Sequence, residues 1–314
     1  MLAYAVRRLA VSVVTLILTA TITFSLVHLV PGSPVEIILG LQATSAEIAT
    51  LTRELHLNLP VWQQYLDWLG GLAHGQLGTS LVYHQPVLSL VAQALPHTLE
   101  LSLVAVVMSL VVALPVGVYI GYRARTGVDQ GVSAAATVGA VVPGFVWGLV
   151  FIYVFVYRLH VAQIAGIASI STAEWVNPLS YVLPAVALGL GLAPSLIQVL
   201  RTEVIEVYRA DFVRTARSKG MSELRVAIHD VLRNALLPLL TVVGTQFGLL
   251  LSGVVIIENI FSIPGVGNLL VGGVFNRDYP VILGTVLVLG AIIIVINLLV
   301  DLAYGLIDPR VSYQ

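Results

Sequence analysis

The chain has 314 residues, of which 58% are apolar and 10% charged, and its mean hydropathy is +0.98. Soluble globular chains carry about 25% charged residues, so this composition excludes a soluble domain and indicates a membrane protein. The formal charge of −1 offers no general attraction to nucleic acid, and the absence of cysteine removes disulfides, thiolate metal sites and cysteine nucleophiles.

A membrane span needs about 20 apolar residues. Six stretches qualify, at about 9–30, 98–121, 132–157, 180–200, 236–257 and 281–304. The first follows Arg7 and Arg8. It is longer than the apolar core of a signal peptide and no Ala-x-Ala cleavage pattern follows, so it is expected to be a retained span. The cations then set orientation. Six spans place both termini on one side, together with Arg7, Arg8, Arg123, Arg125, the seven cations of 201–233 and Arg310. Only Arg53, Arg158 and Arg277 fall opposite, which predicts cytoplasmic termini and a cytoplasmic 201–235 loop. The resulting organisation is a first span over 1–30, an outward segment over 31–97, a five-helix core over 98–304 and a tail over 305–314.

Thr44-Ser-Ala-Glu47 reads as a capping box opening an amphipathic helix. Pro60 can begin a second helix with Val61, Tyr65, Trp68 and Leu72 on one stripe. Trp62, Tyr65 and Trp68 suit the headgroup zone, so the segment is either a lid on the membrane surface, a docking face for an outer partner, or both.

Pro115, Pro143, Pro184, Pro194 and Pro238 lie in the apolar runs, where each removes a backbone donor and favours a kink. These kinks are either ordinary membrane-helix irregularities or bends that shape a cavity. Gly117/Gly121, Gly144/Gly148 and Gly244/Gly248 permit close helix packing. In 258–280, Pro264-Gly265 and Gly267 predict a turn, followed by an apolar run too short to cross. Glu258, Arg277 and Asp278 edge this re-entrant or interfacial segment, either as turn-stabilising ion pairs or as substrate ligands.

The stretch 201–238 carries Arg201, Arg209, Arg214, Arg217, Lys219, Arg225 and Arg233 between two apolar runs. Each cation costs roughly 2.5–3.5 kcal/mol at a bilayer centre, so the stretch lies in water or against a protein. Asp211 can begin a short helix by interaction with its dipole, with Phe212, Thr215, Ala216 and Lys219 at helical spacing. Gly220 can end that helix in the left-handed conformation, and Ser222 can cap a second one carrying Leu224, Val226, Ile228, Val231 and Leu232. Two readings stand: a solvated loop that sets topology, or a rigid element that transmits a push.

Several chemistries are absent. The only lysine, Lys219, follows Ser218, so there is no P-loop. The histidines show no metal spacing. The span interiors hold almost no acids, which disfavours a carrier powered by an ion gradient.

Arg214-Thr215-Ala216-x-x-x-Gly220, within Asp211-Phe-Val-Arg-Thr-Ala-Arg-Ser-Lys-Gly220, resembles the cytoplasmic EAA loop of ABC importer permeases in its dipeptide/oligopeptide form. Val30-Pro-Gly-Ser-Pro-Val35, Gly75-Gln-Leu-Gly-Thr-Ser80, Leu95-Pro-His-Thr-Leu-Glu-Leu101, Val142-Pro-Gly-Phe145 and Leu183-Pro-Ala185 also match that family. So do Arg233-Asn-Ala-Leu-Leu-Pro238, Glu258-x-x-Phe-Ser-x-Pro-Gly-x-Gly267, Asn276-Arg-Asp-Tyr-Pro280 and Asp308-Pro-Arg310, so the resemblance covers nearly the whole chain. Phe212 stands for a common Tyr, Gln76 for a common Asp, and Arg214-Thr215 for the general Glu-Ala.

The long outward segment is similar to that of the B-type permease of the pair. The resemblance implies an all-α membrane protein of six transmembrane helices, with the type I importer permease architecture, in a bacterial cytoplasmic (inner) membrane. It implies half of a translocation pathway for short peptides, shared with a homologous C-type permease. Two ABC ATPases would lie below and a substrate-binding protein outside, with ATP and Mg on the ATPases and no cofactor or metal in this chain. Asp211, Phe212, Arg214, Thr215, Ala216, Arg217, Lys219 and Gly220 would couple to an ATPase, Phe212 as the apolar anchor and Arg214, Arg217 and Lys219 toward acidic rim groups. Glu258, Pro264, Gly265, Gly267, Arg277 and Asp278 would form an outer gate or turn. Nickel, glutathione or haem-like cargo fits the same architecture. An ion-coupled carrier and a non-transporting scaffold are the readings from other classes.

Overall fold

The computed structural model describes residues 2–29, 35, 39, 44–54, 57–160 and 182–307. The Val30–Pro34 and Asp308–Arg310 matches and the 305–314 tail beyond 307 lie outside them. Twelve α-helices occur among the described residues: α1 Leu2–Leu29, α2 Ser45–Glu54, α3 Val61–Ala73, α4 Val87–Tyr122, α5 Gly127–Val141, α6 Gly144–Phe151, α7 Val182–Tyr208, α8 Asp211–Ser218, α9 Glu223–Arg225, α10 Arg233–Ile260, α11 Val266–Phe275 and α12 Tyr279–Ile307. A π-helical stretch extends α6 over Ile152–Arg158, and another joins α9 to α10 over Val226–Leu232.

Five unbroken helices are long and apolar enough to cross a membrane: Ala10–Leu29, Val87–Tyr122, Val182–Tyr208, Pro238–Ile260 and Tyr279–Val300. The expected span at 132–157 is not one rod. α5 and α6 meet at a 92° bend, and the pair makes six spans if counted as one. The cause is local. Pro143 disfavours helical backbone at the residue before it, and Val142 is extended, with φ −81° and ψ 114°. By contrast, Pro194 and Pro238 sit inside continuous helices. α4 starts at Val87 rather than near 98, directly after Pro86. α7 runs on to Tyr208 rather than stopping near 200, because no glycine or proline interrupts it there.

The described residues form two compact units: one up to Thr98 together with Pro264–Ile294, the other from Leu99 to Ile263 together with residues from Val295 onward. In the second, α7 packs against α5, α6 and α10. Its Leu188, Leu192, Leu196, Leu200 and Val204 recur every four residues and are all buried. Small residues let neighbours approach. A Cβ at Gly117 would lie 3.0 Å from Leu200, and one at Gly121 would lie 2.5 Å from Val204 Cγ1. At Gly148 it would meet Ile257 at 2.7 Å, and at Gly244 it would meet Val300 at 2.6 Å.

In the first unit the capping box forms as expected: the Thr44 amide donates to Glu47 Oε2 at 2.8 Å and the Glu47 amide to Thr44 Oγ1 at 3.4 Å. Phe24 of α1 stacks on Trp68 of α3 at 5.6 Å and meets Tyr65 edge-on at 5.2 Å. The Thr21 and Tyr65 hydroxyls share a 2.6 Å hydrogen bond. Val61, expected on the same stripe, is exposed.

Candidate functional site

The stretch joining α7 to α10 is built from two helix stops and a buried face. After Tyr208 the chain turns, with the Arg209 amide donating to Glu206 O and the Ala210 amide to Val207 O. Ala210 is extended and α8 begins at Asp211, where a carboxylate favours the positive end of the helix dipole. Val213 and Ala216 point into the core. Phe212 is 47% exposed, and Arg214, Thr215, Arg217 and Lys219 also face outward. Gly220 closes the helix at φ +78°. Its amide donates to Arg217 O at 2.9 Å and the Met221 amide donates to Ala216 O at 3.3 Å. These two bonds are a Schellman stop, with Met221 packed on the same core as Ala216.

Two expectations for this loop change in detail. Ser222 does occupy the cap position of the next helix, but its side chain makes no capping bond. The π-helical stretch alters the expected apolar stripe: Val226 and Val231 are buried while Ile228 is exposed. The cations also differ among themselves. Arg217 Nη2 donates a hydrogen bond to Glu223 Oε2 at 3.0 Å, its Nε lies 2.8 Å from Glu223 Oε1 in the same ion pair, and its guanidinium lies 5.2 Å over the Tyr208 ring. The Glu223 hydrogen bond raises the pKa of Arg217 above its ordinary value. Arg214 and Lys219 have no carboxylate partner among the described residues.

Arg201, grouped by sequence with the loop cations, instead sits on α7 and grips buried Asp129 of α5. Its Nε donates to Asp129 Oδ1, and its Nη2 donates to Oδ2 at 2.8 Å. Asp129 also accepts from the Arg125 amide at 2.7 Å and from Ser133 Oγ at 3.2 Å. Sequence reasoning did not single out Asp129. A carboxylate at the third position of a helix after a Thr cap was its local signal, but its partner 72 residues away left none.

In 258–280 the turn falls earlier than expected. α10 stops at Ser262, φ +54°, with the Ile263 amide donating to Glu258 O at 2.8 Å. Gly265 is the extended cap of α11, Gly267 lies inside that helix, and Pro264 precedes both. The Glu258 side chain is buried. The Val266 amide donates to Thr98 Oγ1 at 2.8 Å. α11 stops at Arg277, φ +51°, with the Asp278 amide donating to Gly273 O at 2.9 Å. Asp278 does not pair with Arg277. It caps α12, accepting from the Val281 amide at 3.4 Å, and it also accepts from Ser80 Oγ at 2.5 Å and from the Val82 amide at 3.2 Å.

The architecture is therefore an all-α, multi-pass membrane body, and between α7 and α10 it carries a short polar helix, α8, that is packed through Val213 and Ala216 and leaves Phe212 half exposed. A family model for the inner membrane component of binding-protein-dependent transport systems matches residues 113–313, and the model for the N-terminal part of such components matches 1–102. The chain belongs to this family of transport-system inner-membrane components. It is 36% identical to the dipeptide transport system permease protein DppB of Escherichia coli (strain K12) over 338 residues, covering all of both chains. It is 36% identical to the di/tripeptide transport system permease protein DppB of Pseudomonas aeruginosa (strain UCBPP-PA14) over 335 residues, again covering all of both. A solved structure of the MetNI methionine ABC transporter, in inward-facing conformations, shares the fold at a TM-score of 0.56 and 18% identity, over 70% of this chain and 96% of that one. The fold is that of type I ABC importer permeases.

Proposed function

We propose that this chain is the B-type permease subunit of an ATP-driven importer of short peptides, forming half of the pathway with a homologous C-type permease. The reading is supported by end-to-end similarity to dipeptide and di/tripeptide permeases. On this proposal α8 enters a groove on a partner ATPase, which holds ATP and magnesium, and a substrate-binding protein delivers cargo from outside. The termini and the α8 loop lie on the cytoplasmic side. Closure of the ATPases pushes α8, and the push reaches the spans because α8 is fixed to the core by Val213 and Ala216 and ended by a hydrogen-bonded stop.

The observation that carries the coupling role is the half-exposed Phe212 ring on a helix that is anchored in the core by its neighbours Val213 and Ala216. A buried aromatic at an interface carries more affinity than rim charges do. Arg214 and Lys219 are the cations available to an acidic rim, while Arg217 is engaged within the chain. The test is Phe212→Asp in the assembled complex. The variant should insert and pair normally yet lose ATP-dependent uptake of a radiolabelled dipeptide and copurify with less ATPase. Undiminished uptake would reject the anchor role.

A further inference from the structure

A cavity of about 260 Å³ lies where α4, α7 and α8 come together at their polar ends, walled by Tyr122, Arg125, Tyr208, Arg209 and Arg217. We propose that it binds a phosphate-bearing anion, and that its occupant is the headgroup of an anionic phospholipid. This does not depend on the transport reading.

Charge is the first argument. Arg217 is neutralised by Glu223, but Arg125 and Arg209 have no carboxylate partner among the described residues. The cavity therefore has two uncompensated guanidinium groups, and guanidinium is well matched to phosphate oxygens. Arg125 is also placed at some cost. It is a non-glycine residue at φ +67°, held there by the hydrogen bond that its backbone N–H donates to Asp129 Oδ2 at 2.7 Å. The loop thus presents this arginine at the cavity in a conformation that a solvated linker would not need.

The second argument is an unmet hydrogen bond. The Tyr208 hydroxyl is buried without a partner, although its ring is held by Tyr122 at 5.6 Å and by Arg217 at 5.2 Å. A shift of the Tyr208 side chain toward the cavity would let a phosphate oxygen supply the missing acceptor. The third is position. The apolar helices α4 and α7 end at Tyr122 and Tyr208 themselves. Tyrosines at span ends sit at headgroup level, where arginine stems reach toward lipid phosphates. A soluble phosphate would meet the same groups, but the site lies where lipid phosphate is concentrated.

The test uses the full chain in detergent micelles, titrated with phosphatidylglycerol, phosphatidylcholine or inorganic phosphate and read by native mass spectrometry. Parental protein should retain phosphatidylglycerol in preference to phosphatidylcholine. Arg125→Gln/Arg209→Gln should weaken phosphatidylglycerol roughly 25-fold, about fivefold for each cation removed near an anionic surface. Arg53→Gln/Arg158→Gln, which removes two cations elsewhere, should leave it unchanged. Tyr208→Phe deletes only an unpartnered hydroxyl, so the fold should survive, and it should weaken binding several-fold. That variant decides the matter if the double glutamine protein does not fold. Unchanged phosphatidylglycerol affinity in these cavity variants overturns the site. Saturation by inorganic phosphate with no preference for phosphatidylglycerol overturns the lipid assignment.

Discussion

Gly220 offers a clean measurement of how firmly α8 is held. Its backbone sits at φ +78°, and a Cβ built there meets nothing within 4 Å. A Cβ placed at 220 therefore costs conformational energy alone, without a steric clash. The left-handed region costs an L-residue about 1–2 kcal/mol, toward the upper end for a β-branched one. Gly220→Ala should weaken the stop by about 1 kcal/mol, or about fivefold, and Gly220→Val by about 2 kcal/mol, or roughly 30-fold. Gly220→Asn, which visits this region readily, should change little. The amides of residues 220 and 221 report directly, because they donate to Arg217 O and Ala216 O. Hydrogen exchange of the full chain in nanodiscs should show their protection falling in the order Gly, Asn, Ala, Val. If the valine variant exchanges no faster than the asparagine variant, the stop does not hold α8 and the account of a rigid push loses its basis.

Three further outcomes follow from the packing. Asp129→Ala leaves Arg201 without its carboxylate and the Arg125 amide without an acceptor. The loss should be about 3 kcal/mol, the low end for a buried pair, because the Arg201 side chain keeps 29% exposure, and thermal unfolding in detergent reads it. Gly121→Ala puts a methyl 2.5 Å from Val204 Cγ1 and should cost about 1–3 kcal/mol by the same assay, and Val204→Ala should relieve it only in part, because the Val204 Cβ that remains is itself 2.7 Å away. The third concerns acid. Hydrogen bonds from the Thr44 amide, and then from its hydroxyl, hold the Glu47 carboxyl below its ordinary value of 4.5. A depressed carboxyl stabilises above its unfolded pKa and loses that contribution as pH falls through the folded one. The start of α2 should therefore fray as pH drops below about 4.5, seen as lost protection of the Thr44 amide, while Glu47→Gln should exchange with little pH dependence beyond the intrinsic rate.

Much of the fold is legible because it is local chemistry. The apolar runs mark the spans, Thr44-x-x-Glu47 marks the start of α2, and Asp211 with Gly220 brackets α8 to within a residue or two. What escaped was of two kinds. Some features depend on a competition between local preferences. Pro143 breaks its helix while Pro194 and Pro238 are absorbed, and the helical register slips by π-helical turns that move Ile228 outward. Ser262 and Arg277 take left-handed stops that sequence would assign to glycine. Others are long-range. Asp278 with Ser80, Val266 with Thr98, and Arg201 with Asp129 are joined by tertiary packing, and a single sequence carries no trace of such partners.

The right-angled joint at Val142–Pro143 has a bearing on how this protein feels its surroundings. At about 1.5 Å per residue, a straight rod from Gly127 to Arg158 would be about 48 Å long, far beyond the roughly 30 Å of hydrocarbon available. Folding it at a corner turns surplus length into sideways footprint, so that when one arm stands upright the other lies nearly flat. Helices that run straight through can answer a thinner or thicker bilayer by tilting. A hinged pair answers by opening or closing its angle, which makes this corner the place where lipid thickness should register first.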